Sequence, residues 1–272
     1  MPFFGTTAKR RLVEHKKTRS ERNRVAEAVR TARPERSSSP TENQLLATAP
    51  SEELNVLRPY LERVELPQRE ILHEASHRIE NVYFLTAGMA SLVILTSDGR
   101  SVEISIVGRE GLVGSPLLAG VARGPYRAIM QISGHGFRIR GELFSELMTS
   151  TPELRQMLNK HVLMQGLQIA QIAACNRLHE IDQRLARWLL MCHDRINSEM
   201  LPVTHEFLAQ MLGTGRPSVS LAAGMLQKGG IIENLRGTVK LVNRKKLEEA
   251  ACECYGVVRS FQIVTGGSPA NK

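Results

Sequence analysis

Apolar residues in this chain keep two periods, each in its own stretch. Between Val82 and Ile139 they come in short runs of strand type, and from Pro152 onward they recur at three- and four-residue spacings. Period two places side chains on one face of a strand, and period 3.6 places them on one face of a helix. Strands are therefore followed by helices, which points to an α+β fold. Val82-Tyr-Phe-Leu85 and Ala90-Ser-Leu-Val-Ile-Leu95 read as strands, with a hairpin turn at Ser97-Asp98-Gly99-Arg100. Ser101 to Val107 alternates, so Val102, Ile104 and Ile106 are expected to be buried, with Ser101, Glu103 and Ser105 facing water. Tyr126–Ile132 and Gly136–Ile139 read as further strands. A helix is expected over Leu45–Arg63, with Ser51 as its N-cap. Residues 41–150 are thus expected to form an all-β sandwich or barrel. The glycines at 108, 111 and 114 leave two readings open: a loop that cradles an anion, or tight turns.

Residues 151–178 read as one long helix, with Thr151 before Pro152 at its start. Leu154, Leu158, Val162, Leu167, Ile169 and Ile172 spread apolar character over more than one face. Such a helix must bury two faces. One face can lie on the β domain, and the other is expected to meet the same helix of a second subunit. His161 on this stripe reads as a packing residue.

Residues 179–260 carry a second pattern. A helix runs from Ile181 to Ile196. Thr204 then caps a short helix bearing Phe207, Leu208, Met211 and Leu212, and Gly213-Thr-Gly215 breaks it. Arg216-Pro217 starts another helix, which Gly229-Gly230 ends. Two short helices around a glycine turn form a helix-turn-helix. Ile231-Ile232, Arg236-Gly237 and Thr238–Val242 follow as a hairpin, the wing. In this motif the second helix enters the major groove and presents its N-terminal residues to base edges. Arg216 is suited to guanine. The expected DNA contacts are Thr204, His205, Gly215, Arg216, Pro217, Ser218, Ser220, Leu221 and Arg236.

The chain has 272 residues and a formal net charge of +9. Residues 1–40 hold 11 Lys/Arg against 4 Asp/Glu, a net of +7; residues 41–187 hold 15 against 16, a net of −1; residues 188–272 hold 10 against 7, a net of +3. The first 40 residues lack the apolar content to fold alone and are expected to be disordered or weakly helical. They are either an arm for DNA phosphates or a solvated extension. Residues 261–272 read as a C-terminal tail. No secretory signal or membrane span is expected, so the expected location is cytoplasmic. The four cysteines are scattered and show no paired zinc spacing, so no metal site is expected. No catalytic constellation stands out, and no enzyme activity is expected.

Val82-Tyr-Phe-Leu85, Gly99-Arg-Ser-Val-Glu103, Val107–Gly114, Arg184–Leu190 and Phe207–Val219 together resemble the Crp/Fnr family of bacterial transcription regulators. The resemblance runs from about Leu45 to Arg259. It implies an antiparallel, jelly-roll-like β-roll over residues 41–150 and a homodimer that binds a twofold-related double-stranded DNA site, with RNA polymerase as a further partner. A small-molecule sensor that signals through a protein partner without reading DNA is the alternative. Nucleotide-binding members carry Gly-Glu in the loop and then Arg-Ser/Thr-Ala. Here Ser115 follows Gly114, and Tyr126-Arg127-Ala128 places Arg127 one residue late. Gly114, Ser115, Tyr126 and Arg127 are the corresponding candidate pocket, for which the resemblance implies an effector other than cyclic AMP, or none. The reading helix keeps Arg216 but has Pro217 and Leu221 where the family prototype has Glu and Arg, so the operator is expected to differ. The family's oxygen-sensing branch has an N-terminal cysteine cluster, whereas the first cysteine here is Cys175.

Overall fold

The computed structural model describes residues 39–264. The expectation for the basic first 40 residues therefore lies almost wholly outside the described residues, as does most of the expected C-terminal tail. The chain opens with α1 (Gln44–Ala47) and α2 (Ser51–Leu57). The single helix expected over 45–63 is thus replaced by two short ones and the start of a strand. Pro50 precedes α2, and Pro59 lies in the 3-10 turn that ends it. Pro50, not Ser51, occupies the cap position of α2.

Eight strands follow: β1 (Glu62–Leu66), β2 (Ile71–His73), β3 (Asn81–Leu85), β4 (Met89–Leu95), β5 (Ser101–Val107), β6 (Leu112–Val113), β7 (Arg127–Ile132) and β8 (Gly134–Arg140). They form two four-stranded antiparallel sheets, β1-β8-β3-β6 and β2-β7-β4-β5. Leu66, Leu85, Leu92, Val113, Ala128 and Met130 fill one core of the roll. Val82, Phe84, Ile139 and Phe144 pack with α1, α2 and the start of the long helix in another.

α3 (Gly141–Ser150) leads into α4 (Pro152–Leu178), which is 27 residues long. After it come α5 (Ile181–Ile196), β9 (Met200–Leu201), α6 (His205–Met211), α7 (Arg216–Lys228), β10 (Ile232–Leu235), β11 (Thr238–Leu241), α8 (Arg244–Ala250) and α9 (Cys254–Val264). The last sheet is ordered β10-β11-β9. Leu189, Leu208, Val219, Ala222, Leu226 and Val239 build its shared core. This is the α+β architecture that the change of period predicts. Among the described residues no helix is long and apolar enough to cross a membrane.

Two features position everything that follows. First, α4 buries Leu154, Leu158, His161, Gln168, Ile172 and Cys175 along one stripe. Its opposite side leaves Leu163 61% and Leu167 42% exposed, and Gly166 and Ala170 lie on the same side. Second, β5 departs from expectation. Glu103 and Ser105 are buried, not solvated. The reason is a second covering layer: Trp188 Nε1 donates to Glu103 Oε1 at 2.6 Å, and Gln168 Nε2 donates to Ser105 Oγ at 3.4 Å. α4 and α5 thus lie over the polar face of β5, where their own polar groups meet it, and a strand covered on both sides no longer sorts by alternation.

Candidate nucleic-acid interface

Thr204 caps α6, its Oγ1 accepting from the Phe207 N–H at 3.1 Å. Gly213, at φ +60°, turns the chain out of α6 in the left-handed region that glycine adopts without strain. A side chain there would also meet Val102 at 3.2 Å. α7 begins at Arg216 behind Gly215, with no side-chain cap. Among the described residues no side chain supplies an acceptor to its positive N-terminal end.

α7 buries Val219, Ala222, Ala223 and Leu226 against the core. Its other face is free. Arg216, Pro217, Ser218, Ser220 and Leu221 are all exposed. The Arg216 side chain is 67% exposed, with its Nε 4.0 Å from Glu206 Oε2. Leu221 is 67% exposed and Met225, one turn on, 47%. An apolar pair on an otherwise polar, outward face is costly in water unless it meets a surface.

His205 sits behind this face. Its Nδ1 lies 3.1 Å from Ser220 Oγ and its Nε2 3.1 Å from Asn234 Oδ1. Asn234, on β10, also takes the Gln227 side-chain oxygen on its backbone N–H at 2.8 Å. The imidazole therefore braces α7 against the wing. Arg236 stands exposed at the wing turn beside Gly237, which has φ +75°. Substituting His205 by alanine is expected to remove two hydrogen bonds and cost about 1–2 kcal/mol. The expected change is a melting temperature about 2–8 °C lower, with faster amide exchange in β10 and β11.

The four candidate pocket residues are not arranged around one anion. Ala128 points into the roll core, so Arg127 lies on the opposite face of β7. There its Nε is 2.8 Å from Glu74 Oε2, and the guanidinium holds the Glu74 carboxyl below its ordinary range. Ser115 and Tyr126 meet instead. Burial pushes the Tyr126 phenol up, and a hydrogen bond with Ser115 partly opposes this. The His73 ring lies 5.3 Å from the Tyr126 ring. Gly114 takes φ +100° and closes against the backbone of Asn81 and Val82. Of the two readings of the glycine loop, close packing fits. A side chain at 108 would meet Arg195 at 2.9 Å, and one at 111 would meet His161 at 3.2 Å. Glu110 in that loop pairs with the buried Arg195 at 2.7 Å.

Residues 183–250 match the family model for the Crp-like helix-turn-helix domain. Transcriptional regulator SdrP of Thermus thermophilus is 26% identical over 183 residues, covering 63% of this chain and 84% of the relative. Residues 183–250 thus form a helix-turn-helix domain of the Crp type. Solved Crp/Fnr-type structures share the chain's fold. A protein from Eubacterium rectale described as a crp/fnr-family transcriptional regulator has a TM-score of 0.62 at 16% identity, over 77% of this chain and 98% of that one. The regulator CLP of Xanthomonas campestris, described as responsive to c-di-GMP, has 0.59 at 16% identity, over 71% and 99%. Within the matched residues, the helix-turn-helix lies where α6 and α7 meet.

Two groupings in the chain escape sequence reasoning. One is the Glu103 contact between β5 and α5. Glu103 Oε2 also accepts from Ser91 Oγ, and Arg187 and Arg195 lie close by. Burial pushes the carboxyl up to about 7 against those partners. Nothing in a strand pattern marks it. The other grouping corrects the view of scattered cysteines. Cys175, His179, Cys252 and Cys254 place their ligand atoms within 4.8 Å of one another. The hydrogen bond with Cys252 pulls the Cys175 thiol down to about 5, while the same contact raises Cys252. The available signals were Cys175 and His179 one helical turn apart, and the Cys252-Glu-Cys254 spacing.

Proposed function

We propose that this is a cytoplasmic, homodimeric regulator that reads a twofold-related duplex site with α7. The observation that carries the reading is the exposed face at the start of α7. Arg216, Pro217, Ser218, Ser220 and Leu221 stand clear of the core there, and Arg236 of the wing is exposed beyond it. Arg216 can present two parallel donors to guanine O6 and N7, and Leu221 offers apolar contact to a thymine methyl. Thr204, His205 and Gly215 set the helix's position, and Arg236 suits a phosphate. RNA polymerase is the partner that activation or repression at such a site would engage.

The apolar outer side of α4 supports the dimer. A parallel pair of such helices would cover Leu163 and Leu167 and set two α7 helices at half-sites one DNA turn apart. Replacing Leu167 by glutamate is expected to weaken dimerisation at least tenfold while leaving each chain folded. Analytical ultracentrifugation across a dilution series reads this directly; a dimer of unchanged strength would place the interface elsewhere.

In this reading the β-roll is a sensor or platform without the usual cyclic-nucleotide anchor, since Arg127 is engaged by Glu74 and Ser115 replaces a carboxylate. Glu103 and Ser101 link the roll to the reader, through Trp188 and Gln210 respectively. An effector near Gly114, Ser115 and Tyr126 would act by binding two poises of that link unequally. Selection of bound fragments from random duplex DNA tests the whole proposal. A palindromic consensus whose binding persists at moderate salt is the expected outcome. Uniform recovery of all sequences, with binding that collapses steeply as salt rises, would overturn it.

A further inference from the structure

The long helix α4 ends in a nest of soft ligands. Cys175 and His179 are four residues apart on α4 and at its end, so they share one face. Cys252 and Cys254 flank Glu253 where the chain enters α9. Cys175 Sγ lies 3.4 Å from Cys252 Sγ, and Cys254 Sγ lies 3.6 Å from His179 Nδ1. All four ligand atoms fall within 4.8 Å of one another. The three cysteines are buried, at 0%, 4% and 1% exposure.

A tetrahedral zinc ion has Zn–S near 2.3 Å and Zn–N near 2.0–2.1 Å, which sets S···S edges of about 3.8 Å and S···N edges of about 3.6 Å. The two short separations lie close to those edges. We propose that Cys175, His179, Cys252 and Cys254 hold a structural zinc ion that fastens the end of α4 to the start of α9. Three thiolates and one imidazole fill four positions, so the site is closed and structural rather than catalytic. Zinc entry requires the thiolate form of each cysteine and releases the thiol protons.

The surroundings fit an ion. His179 Nε2 is 3.1 Å from Glu253 Oε1. A carboxylate on the far nitrogen fixes the tautomer that leaves Nδ1 free to bind, the usual outer-shell arrangement for a zinc-bound histidine. Gln171 Nε2 donates to Cys254 Sγ at 3.1 Å. Three thiolates with Zn²⁺ leave a net charge of −1, and the guanidinium groups of Arg184 and Arg187 act on these sulfurs. Tyr255, next to Cys254, is anchored to Asp194 at 2.8 Å and to Arg244 at 2.6 Å, so the strap is held before an ion arrives. A Cys175–Cys252 disulfide would use two of the four groups and leave the Cys254–His179–Glu253 array without a role. An iron–sulfur cluster divides its ligands between irons and needs a wider cage.

Zinc here would span the turn at His179–Glu180 between α4 and α5, the point about which a DNA-reading head would pivot. The test is the metal content of the full chain, purified under reducing conditions without chelators, by elemental mass spectrometry. One zinc per chain is expected, released when a mercurial blocks the thiols. Cobalt(II) in its place should give the intense visible bands of a tetrahedral thiolate site. Cys254→Ser and His179→Ala should lose the ion. Cys192→Ala, in α5 outside the nest, should keep it. Glu253→Gln should keep it with affinity about 10–100-fold lower. Four free thiols that take up no zinc on incubation would overturn the proposal. So would a Cys175–Cys252 disulfide in the freshly isolated chain, or stoichiometric iron with acid-labile sulfide.

Discussion

Arg216→Ala should abolish the preference for the selected operator while leaving the fold and the proposed dimer intact. The side chain is 67% exposed, and the nearest carboxylate, that of Glu206, is at 4.0 Å. It makes little contribution to the core, so its removal should change stability by no more than about 0.5 kcal/mol. In a complex each bidentate arginine–guanine contact discriminates by about 1–3 kcal/mol. Two half-sites double that to about 2–6 kcal/mol, or roughly 30- to 20,000-fold in the ratio of operator to random affinity. Arg216→Lys separates charge from geometry. It keeps the cation but not the planar fork, so it should retain most random-duplex affinity and lose most of the discrimination. Both variants are to be compared at one fixed salt concentration, because the phosphate contribution varies with salt. An unchanged ratio for Arg216→Ala would move the base-reading role off the start of α7.

The helix-turn-helix is legible in the sequence because its signals are local. A threonine cap, an apolar face, a Gly-Thr-Gly break and Arg-Pro at the next start all lie within about one helical hairpin, and the structure places α6 and α7 at those marks. The strands with clear runs are legible for the same reason. The short strands β1, β2 and β6 are not, because two to five residues carry too little period to register and their pairing partners are distant, as with Glu62 opposite Arg138. β5 misleads in a more instructive way. Its alternation is real, but α4 and α5 cover the face that alternation assigns to water. Spacing marks each half of the cysteine nest but not their meeting, because the Cys175 and Cys252 sulfurs are 77 residues apart in sequence and come together only when α9 folds back along α4.

Glu103 should make this protein less stable as pH rises from about 5 to 7. Its carboxyl is wholly buried between β4, β5 and α5, and burial raises it from the ordinary 4.5 to about 7. Ser91, Trp188, Arg187 and Arg195 all oppose that shift, and burial outweighs them. In the window between the two values the folded chain holds a proton that the unfolded chain has released. Stability from this group is therefore complete below about pH 4.5 and is lost as pH climbs through 7. A shift of this size corresponds to about 3 kcal/mol. Buried His73 and His161 and half-buried His193, each lowered chiefly by burial, pull the other way as pH falls. The difference between parent and Glu103→Gln isolates the carboxyl from them. Glutamine can accept from Trp188 Nε1 and donate to Ser91 Oγ, so it keeps both contacts without a charge to bury. The variant should match the parent at pH 5 and exceed it by about 3 kcal/mol at pH 8 in denaturant titrations. Glu103→Leu, which strands the Trp188 indole N–H, should lose about 1–3 kcal/mol relative to glutamine at every pH. Parallel pH curves for parent and Glu103→Gln would show that the carboxyl stays ionised in the folded chain, stabilised by Arg187 and Arg195. In that event the seam between the β-roll and the reader would be an ion-pair network rather than a protonated hydrogen bond, and salt rather than pH would loosen it.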